Sequence, residues 1–218
     1  MKKIIFVIAP HPDDEVLGCG GTLLRLDNEG AEIHWIIVTN MGKEYSKAEK
    51  NIRQDLIKDI SKKFNFFKVH QLSYLSGEIS DKSMKNMIIN FSDLIGVFSP
   101  SIIFTPFYGD VHSDHRIIAN AVISASKPFR AKSVKTLLAY EVPSETNFAF
   151  KDFFQPKIYY DISNYMDEKI NILKIYKSEL AQHPFPRSLE ASKSLAKIRG
   201  SESNNVYAEA FHVIKMIF

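Results

Sequence analysis

The sequence predicts an α/β fold, a Rossmann-like three-layer sandwich with a mostly parallel central sheet and helices on both faces. Two observations lead to this prediction. Apolar runs of strand length alternate with amphipathic segments of helix length through the first half of the chain, which is the pattern of βαβ units. The runs are apolar almost throughout, as strands covered on both faces are.

The first half of the chain contains four predicted strand and helix pairs. Strands are recognised by short continuous apolar runs, and helices by an apolar stripe with a period near 3.6 residues. The predicted strands of this half are Lys3–Ala9, Glu32–Thr39, Val69–Leu75 and Ser101–Pro106. The predicted helices that follow them are Val16–Asn28, Lys47–Phe64, Lys82–Phe98 and His115–Ser126.

The second half of the chain is less regular. Its predicted strands are Thr136–Val142, Lys157–Asp161 and a final apolar segment at Tyr207–Phe218. Its predicted helices are Ile162–Gln182 and Ser188–Arg199, the second of which ends at Gly200. No linker or repeat divides the chain, so residues 1–218 are expected to form a single domain.

Composition limits the class of protein. The 28 Lys and Arg residues are interleaved with 25 Asp and Glu residues, for a formal net charge of +3, and such mixing requires no nucleic-acid partner. Cys19 is the only cysteine, so an internal disulfide is excluded. The N-terminus lacks a secretory signal pattern, and no apolar run approaches the ~18 residues of a membrane span. We expect a cytoplasmic protein with a small-molecule partner, and a homo-oligomer stays open.

The motif HPDDE at residues 11–15 directly follows the first predicted strand. Ligands of open α/β sheets bind beyond the carboxyl ends of the strands, so a site is expected here. An imidazole and three carboxylates beside a buried strand are costly unless a cation or a substrate compensates their charge. The alternative is that the acidic residues only cap the next helix and interact with its dipole.

A second motif, HSDH at residues 112–115, follows the fourth predicted strand. It occupies the equivalent position, so its side chains are expected to meet those of the first motif across the top of the sheet. A catalytic zinc keeps three protein ligands and one open position, and two histidines with one carboxylate are a suitable set. Alone, the histidines would also fit an ordinary exposed pair, but the two motifs together predict a metal site.

The segments APHPDDEVLGCGGT and HSDHR, together with YAEAF at Tyr207–Phe211, resemble the PIG-L or LmbE-like family of zinc-dependent deacetylases. The resemblance implies one zinc ion per chain and hydrolytic removal of the acetyl group from an N-acetylated sugar or sugar conjugate. The zinc ligands that it implies are His11, Asp14 and His115. Asp13 is implied as the general base that activates water at the metal.

Further roles follow from the same resemblance. His112 is implied to stabilise the oxyanion of the tetrahedral intermediate. Asp114 is expected to support it through a hydrogen bond that raises the pKa of His112 and fixes the ring. Arg53 matches a family position where an arginine contacts substrate, although a helix-surface arginine fits it equally. Arg116 is assigned from its place directly after the second motif and not from the resemblance, and it is expected to bind a substrate phosphate or to pair with Glu15.

Some features of the sequence carry no firm assignment. A later substrate-binding arginine is not evident, because Leu137–Val142 offers Tyr140 and Glu141 instead. The aromatic-rich segment Pro143–Pro156 fits either a substrate-facing loop or packing. Glu15 is expected to orient its neighbours rather than to bind the metal.

Two other functions stay open at this point. His and Asp clusters also hold the paired metal ions of phosphoester hydrolases, which would predict about two metals per chain. A non-catalytic nucleotide-binding module of the same fold is the other alternative. Gly18, Gly20 and Gly21 do not favour nucleotide binding, because Leu23 stands where the dinucleotide-binding pattern has its third glycine. They are expected to allow close packing between helix and strand.

Overall fold

The computed structural model describes residues 2–218, and these form one seven-stranded sheet with six α-helices. The strands are β1 (Ile4–Ala9), β2 (Glu32–Asn40), β3 (Lys68–Leu75), β4 (Ile102–Pro106), β5 (Thr136–Tyr140), β6 (Ile158–Asp161) and β7 (Ala208–Met216). The helices are α1 (Asp14–Asn28), α2 (Lys47–Lys63), α3 (Asp81–Phe98), α4 (Ser113–Ala125), α5 (Met166–Leu173) and α6 (Leu189–Ser203). None of the helices in residues 2–218 combines the length and the apolar character that crossing a membrane requires.

Strand β1 lies near the centre of the sheet, whose order is β3-β2-β1-β4-β5-β7-β6. Strands β1 to β5 are parallel, and β7 is antiparallel to both of its neighbours. The chain runs outward from β1 to β3 and then crosses to β4 on the other side of β1. The carboxyl ends of β1 and β4 therefore flank a topological switch point, where α/β sheets bind ligands. The predicted mostly parallel sheet is confirmed.

Apolar layers cover both faces of the sheet. Ile5 and Val7 of β1 pack in a cluster with residues of α1 and α2, whereas Phe6 and Ile8 pack in another with residues of α3 and α4. Successive strand residues point to opposite faces, so a strand between two apolar layers is apolar at every position. This explains the continuous run in β1 and confirms the three-layer arrangement.

Helix α1 is interrupted at Cys19, where φ is −146° and ψ is 18°. The backbone N–H groups of residues 21 and 22 donate to the Glu209 carboxylate of β7 at 2.9 and 2.7 Å. The carbonyl of Leu17 accepts from Nζ of Lys169 in α5 at 3.0 Å, and Lys169 also pairs with Glu209 at 2.6 Å. A buried ion pair between α5 and β7 therefore satisfies the backbone groups at the interruption.

The predicted helix Ile162–Gln182 is wrong. The chain forms only the short helix α5 and a 3-10 turn at Lys177–Glu179. Tyr176 lies between them, is buried, and donates its hydroxyl to Oε1 of Glu15 at 2.6 Å. A tertiary contact of this kind outweighs local helix propensity.

Gly200 lies inside α6 rather than ending it as predicted. Helix α6 continues to Ser203, and Asn204 follows in the left-handed conformation at φ 58°, as asparagine after a helix often does. A Cβ at Gly200 would lie 2.6 Å from the backbone oxygen of Asn205, so close backbone packing accounts for this glycine. Among the glycines of α1, a Cβ at Gly18 would overlap the β5 ring of Tyr140, which confirms the expected close packing of helix and strand.

Candidate active site

The motif at residues 11–15 forms the turn from β1 into α1. Asp13 has a φ of 137°, a conformation that L-residues rarely adopt and that is concentrated at functional sites. Oδ2 of Asp14 accepts from the backbone N–H of His11 at 2.9 Å, and Oε2 of Glu15 accepts from the N–H of Asp13 at 3.1 Å. Acidic side chains of the motif therefore stabilise the turn itself, but Asp13 at the N-cap makes no side-chain hydrogen bond to α1, so the capping alternative does not account for it.

His11, Asp14 and His115 come together at the carboxyl ends of β1 and β4. One donor atom from each lies within 4.8 Å of the others. Oδ2 of Asp14 is 3.3 Å from Nδ1 of His11 and 3.3 Å from Nε2 of His115. Tetrahedral zinc with bonds of about 2.0–2.1 Å places neighbouring ligand atoms about 3.3 Å apart. This His/Asp/His group therefore fits a metal ion.

The remaining ring nitrogen of each of these histidines faces a carboxylate. Nε2 of His11 lies 3.2 Å from Oδ2 of Asp114, and Nδ1 of His115 lies 2.8 Å from Oδ2 of Asp110. A carboxylate behind a histidine fixes the ring and directs its other nitrogen toward a metal. Thr146 in turn donates to Oδ1 of Asp110 at 2.6 Å, so a further layer of hydrogen bonds holds the carboxylate.

The charges around the group also suit a cation. Burial lowers the pKa of His115, but the carboxylates of Asp14 and Asp110 outweigh it and raise the pKa to about 10. Burial likewise opposes the hydrogen bonds to Asp114 and Asp14, which raise the pKa of His11 to about 9. The carboxylates thus favour positive charge at this position, and a divalent cation would supply it by displacing the protons.

The expected hydrogen bond between the Asp114 carboxylate and the His112 ring is not formed. Oδ2 of Asp114 instead accepts from the N–H of Gly77 at 2.8 Å and faces His11. His112 caps α4, and its Nδ1 accepts the backbone N–H of Asp114 at 3.1 Å. A neutral His112 ring therefore carries its proton on Nε2, and burial lowers its pKa rather than raising it. Asp114 orients His11, not His112.

A polar cavity of about 240 Å³ adjoins this group, and its lining is His11, Pro12, Asp13, Arg53, Ser76, His112, Glu179 and Arg187. Arg53 lines this cavity, and its contact with substrate stays a prediction. Arg116 does not line the cavity, because its guanidinium donates to the backbone carbonyls of Asp110 and Val111. It pairs neither with Glu15 nor with a group in the cavity.

Asp13 faces the cavity beside the guanidinium of Arg187, a residue that the sequence analysis did not identify. Burial raises the pKa of the Asp13 carboxyl well above its usual range, the charge of Asp14 raises it further, and Arg187 opposes both. Nη1 of Arg187 donates to Oδ2 of Asp13 at 3.0 Å and to Oε2 of Glu179 at 3.3 Å. A carboxylate whose pKa is raised binds a proton more readily, as a general base must.

Distance along the chain explains which residues the sequence analysis missed. Tyr176 and Arg187 lie 161 and 174 positions after Glu15 and Asp13, the residues that they contact. Neither lies in a motif that marks a site. Asp110 offered the one local signal, because it is an acidic residue in the loop after β4, close to the second histidine motif.

The segment Pro143–Pro156 contributes polar side chains to the surroundings of the site. Oε1 of Glu145 accepts from Nη2 of Arg187 at 3.1 Å, and Thr146 holds the carboxylate behind the second histidine motif. The aromatic side chains of the segment that are largely exposed are Phe148, Phe150 and Phe153.

Comparison with known families supplies an independent finding. The sequence model of the PIG-L family, described as GlcNAc-PI de-N-acetylase, matches residues 6–126. This range is more than half of the chain and contains both histidine motifs. The chain belongs to the PIG-L family. In this PIG-L chain, the three donor residues lie within the matched range, whereas Tyr176, Glu179 and Arg187 lie beyond it.

Curated relatives and a solved structure are similar over most of the chain. The probable N-acetyl-alpha-D-glucosaminyl L-malate deacetylase 2 of Bacillus cereus is 24% identical, covering 82% of this chain and 84% of the relative. The diacetylchitobiose deacetylase of Thermococcus kodakarensis is 25% identical over 100% of this chain and 85% of its own length. The solved structure of the conserved protein TT1542 from Thermus thermophilus is 25% identical with a TM-score of 0.80, covering 100% and 97% of the two chains.

One solved neighbour has a different activity. The 4-carboxy-2-hydroxymuconate hydratase of Pseudomonas putida KT2440 is 17% identical with a TM-score of 0.74, covering 99% of this chain and 98% of its own. At this identity the likeness shows the fold alone. The fold therefore does not fix the reaction, and the residues of the site must carry that argument.

Proposed function

We propose that this chain is a zinc-dependent N-deacetylase that releases acetate from an N-acetylated sugar or sugar conjugate. The observation that carries the proposal is one cavity that Asp13 and His112 line beside the donor group of His11, Asp14 and His115. A base for water, a hydrogen-bond donor for an oxyanion and a set of metal ligands are the parts that hydrolysis of an amide requires.

We propose one zinc ion per chain, held by His11, Asp14 and His115. A second set of donors is His11 with His112 and Asp114, whose ligand atoms also lie within 4.8 Å of one another. Both sets need the ring of His11. Nε2 of His11 cannot donate a hydrogen bond to Asp114 and bind a metal at once, which favours a single ion. When bound, zinc would lower the pKa of a water molecule to about 7 and polarise the acyl oxygen.

The residues of the chain then have separate tasks. Asp13 accepts a proton from water as the water oxygen attacks the acyl carbon, and it returns the proton to the nitrogen when the C–N bond breaks. The products are acetate and a free amine. His112 donates its Nε2–H to the oxygen that gains negative charge. A neutral imidazole suffices for this task, because the proton already lies on the nitrogen that faces away from α4.

The substrate class rests on the relatives and on the cavity. The two curated relatives described above are named as deacetylases of N-acetylated sugar compounds. The cavity of about 240 Å³ is smaller than the roughly 300–1,000 Å³ of pockets for drug-sized ligands, which supports entry of one sugar ring with the rest of the conjugate outside. Arg53 lines the cavity and forms no ion pair within residues 2–218, so we propose that it contacts the substrate.

Two broader statements are also proposals. A single domain over residues 1–218 is supported by the pairing of β7 with β5, which joins the two halves of the chain in one sheet. A cytoplasmic location is supported by the free, buried thiol of Cys19, because such a protein needs no oxidising compartment.

The test is acetate and amine release from a panel of N-acetylglucosamine, diacetylchitobiose, N-acetylglucosaminyl malate and a nucleotide-linked N-acetylglucosamine. The protein is assayed as purified, after a chelator, and after return of zinc. We expect release from at least one compound, loss with the chelator and recovery with zinc. Full activity in chelator without bound metal, or release of phosphate from phosphoesters in place of acetate, would contradict the proposal.

A further inference from the structure

Arg187 is almost fully engaged by the protein itself. Its Nη1 donates to Asp13 at 3.0 Å and to Glu179 at 3.3 Å, and its Nη2 donates to Glu145 at 3.1 Å. Its Nε donates to Oγ of Ser144 at 2.8 Å. A guanidinium has five N–H donors in a rigid plane, so four of the five have partners before any substrate enters.

The partners of Arg187 are themselves fixed. Ser144 has a φ of 79°, in the left-handed region, and its N–H donates to Oδ1 of Asn147 at 2.8 Å. Glu145 is mostly buried, and its carboxylate contacts both Arg187 and the hydroxyl of Ser144. The guanidinium plane is therefore set by the loop after β5, independently of the residues that it meets in the cavity.

Asp13 is the group on which this arrangement acts. Its Oδ2 accepts from Arg187, and its backbone N–H donates to Glu15. Among residues 2–218, no hydrogen bond engages its Oδ1, although the residue lines the cavity. Oδ2 is thus the held oxygen, and Oδ1 is the oxygen left to exchange a proton.

We propose that Arg187 is a positioning residue, which fixes the carboxylate of Asp13 so that Oδ1 faces the reacting water. The inference rests on the proposed function, and it assigns Arg187 to the base rather than to the substrate. Arg53 provides the contrast within the same cavity, because its only hydrogen bond in the described chain is a long one of 3.5 Å to the carbonyl of Thr39. Arg53 is available to a ligand, whereas Arg187 is held.

The kinetic test compares Arg187→Met and Arg187→Lys with the unchanged protein. A misplaced catalytic group costs roughly 10²-fold in rate, so we expect kcat of Arg187→Met to fall by about that factor with little change in KM. Guanidinium at millimolar concentration should restore part of the rate in Arg187→Met. Arg187→Lys should recover little, because an ammonium lacks the planar fork. A raised KM with unchanged kcat would instead make Arg187 a substrate contact and overturn the proposal.

Arg199 is the matched control. It is also half-buried and paired with carboxylates, at 2.7 and 2.8 Å from Glu141, but it does not line the cavity. Arg199→Met should lower stability while kcat stays within about twofold, since it removes an ion pair without touching Asp13. If Arg187→Met and Arg199→Met lose kcat equally, the role of Arg187 is only structural and the proposal is overturned.

A measurement without substrate separates this inference from the proposed function. Urea unfolding of Asp13→Asn, Arg187→Met and the double variant forms a cycle that isolates the coupling between the two residues. We expect Arg187→Met to lower the urea midpoint clearly more in the unchanged protein than in Asp13→Asn. If the effects of the two single substitutions on stability are additive, the proposed coupling between Arg187 and Asp13 is overturned. If the unchanged protein releases no acetate, the proposed function fails, and the cycle still decides whether Arg187 holds Asp13.

Discussion

Oδ2 of Asp110 lies 2.8 Å from Nδ1 of His115, on the opposite side of the ring from Asp14. The ring is thereby held between two carboxylates, of which Asp14 belongs to the donor group and Asp110 does not. With the Nδ1 proton directed at Asp110, a metal ion would displace the proton of Nε2 and bind the lone pair of that nitrogen. We therefore expect the affinity of the proposed zinc site to depend on Asp110, a residue outside the set of ligands.

Asp110→Asn should weaken zinc binding by about 10- to 100-fold, the usual effect of losing such a carboxylate. A competition titration with a chromophoric chelator measures this directly, without an activity assay. Asp93→Asn, on the exposed side of α3, is the control and should bind zinc like the unchanged protein. An unchanged affinity in Asp110→Asn would show that the hydrogen bond has no part in metal binding.

Asp13→Asn should lower kcat for acetate release by about 10²- to 10⁴-fold, because an amide cannot accept the proton of water. Bound zinc should stay near one ion per chain, because Asp13 is not in the donor group. Asp14→Asn is the contrasting variant and should lose the metal itself. Metal content by mass spectrometry and steady-state kinetics check both. Loss of zinc from Asp13→Asn would move this residue from base to ligand.

Lys169→Met should lower the free energy of unfolding by about 3–5 kcal/mol, because it leaves the buried Glu209 carboxylate without its cationic partner. Both side chains are at most 5% exposed. Lys174→Met, at the exposed end of α5, should change stability by less than about 0.5 kcal/mol. Urea unfolding followed by circular dichroism gives both values, and similar values for the two variants would contradict the importance of the pair.

Stability should fall in acid through His70, which lies on β3 and is not a member of the donor group. Nδ1 of His34 lies 3.0 Å from Nε2 of His70, and Nε2 of His34 lies 3.1 Å from Glu32. Burial, together with the charges of His34 and Lys68, lowers the pKa of His70 to about 4. The unfolded chain, with a histidine pKa near 6.5, therefore binds more protons than the folded chain between these values.

The contribution of His70 is thus complete above about pH 6.5 and is lost as the pH falls toward about 4. His70→Gln keeps an N–H donor toward His34 but does not titrate, so its stability should decline less steeply over this range, by up to one proton per chain. Urea unfolding at several pH values measures the slopes. Parallel curves for His70→Gln and the unchanged protein would exclude a role for this histidine.

The sequence was sufficient to predict those parts of the fold and of the site that are determined by residues close together in the chain. The apolar runs located the strands of the parallel part, and the two histidine motifs follow β1 and β4, so their meeting at the switch point could be predicted. Asp114 shows the limit of such reasoning. It directly precedes His115 and lies close to His112 in the chain, yet its carboxylate orients His11, because the direction of the side chain at the start of α4 decides the contact.

Contacts between the first motif and the end of the chain were beyond local reasoning. Tyr176 and Arg187 contact the motif from a segment that the apolar pattern assigned to a helix and a loop. Their roles depend on the tertiary structure and not on their neighbours in the sequence. The same holds for Glu209, whose place in the YAEAF segment suggested resemblance but no physical task. Its task is to accept the two N–H groups at the interruption of α1.

The position of Glu209 has a consequence for how the protein matures during synthesis. Chains emerge from the ribosome N-terminus first, so both histidine motifs leave it long before Glu209, which lies in the last strand. Until that strand arrives, the interrupted helix behind the first motif lacks the carboxylate that satisfies its backbone. The first motif is therefore expected to gain its final geometry only after β7 has left the ribosome and paired in the sheet, and zinc is expected to bind after that step.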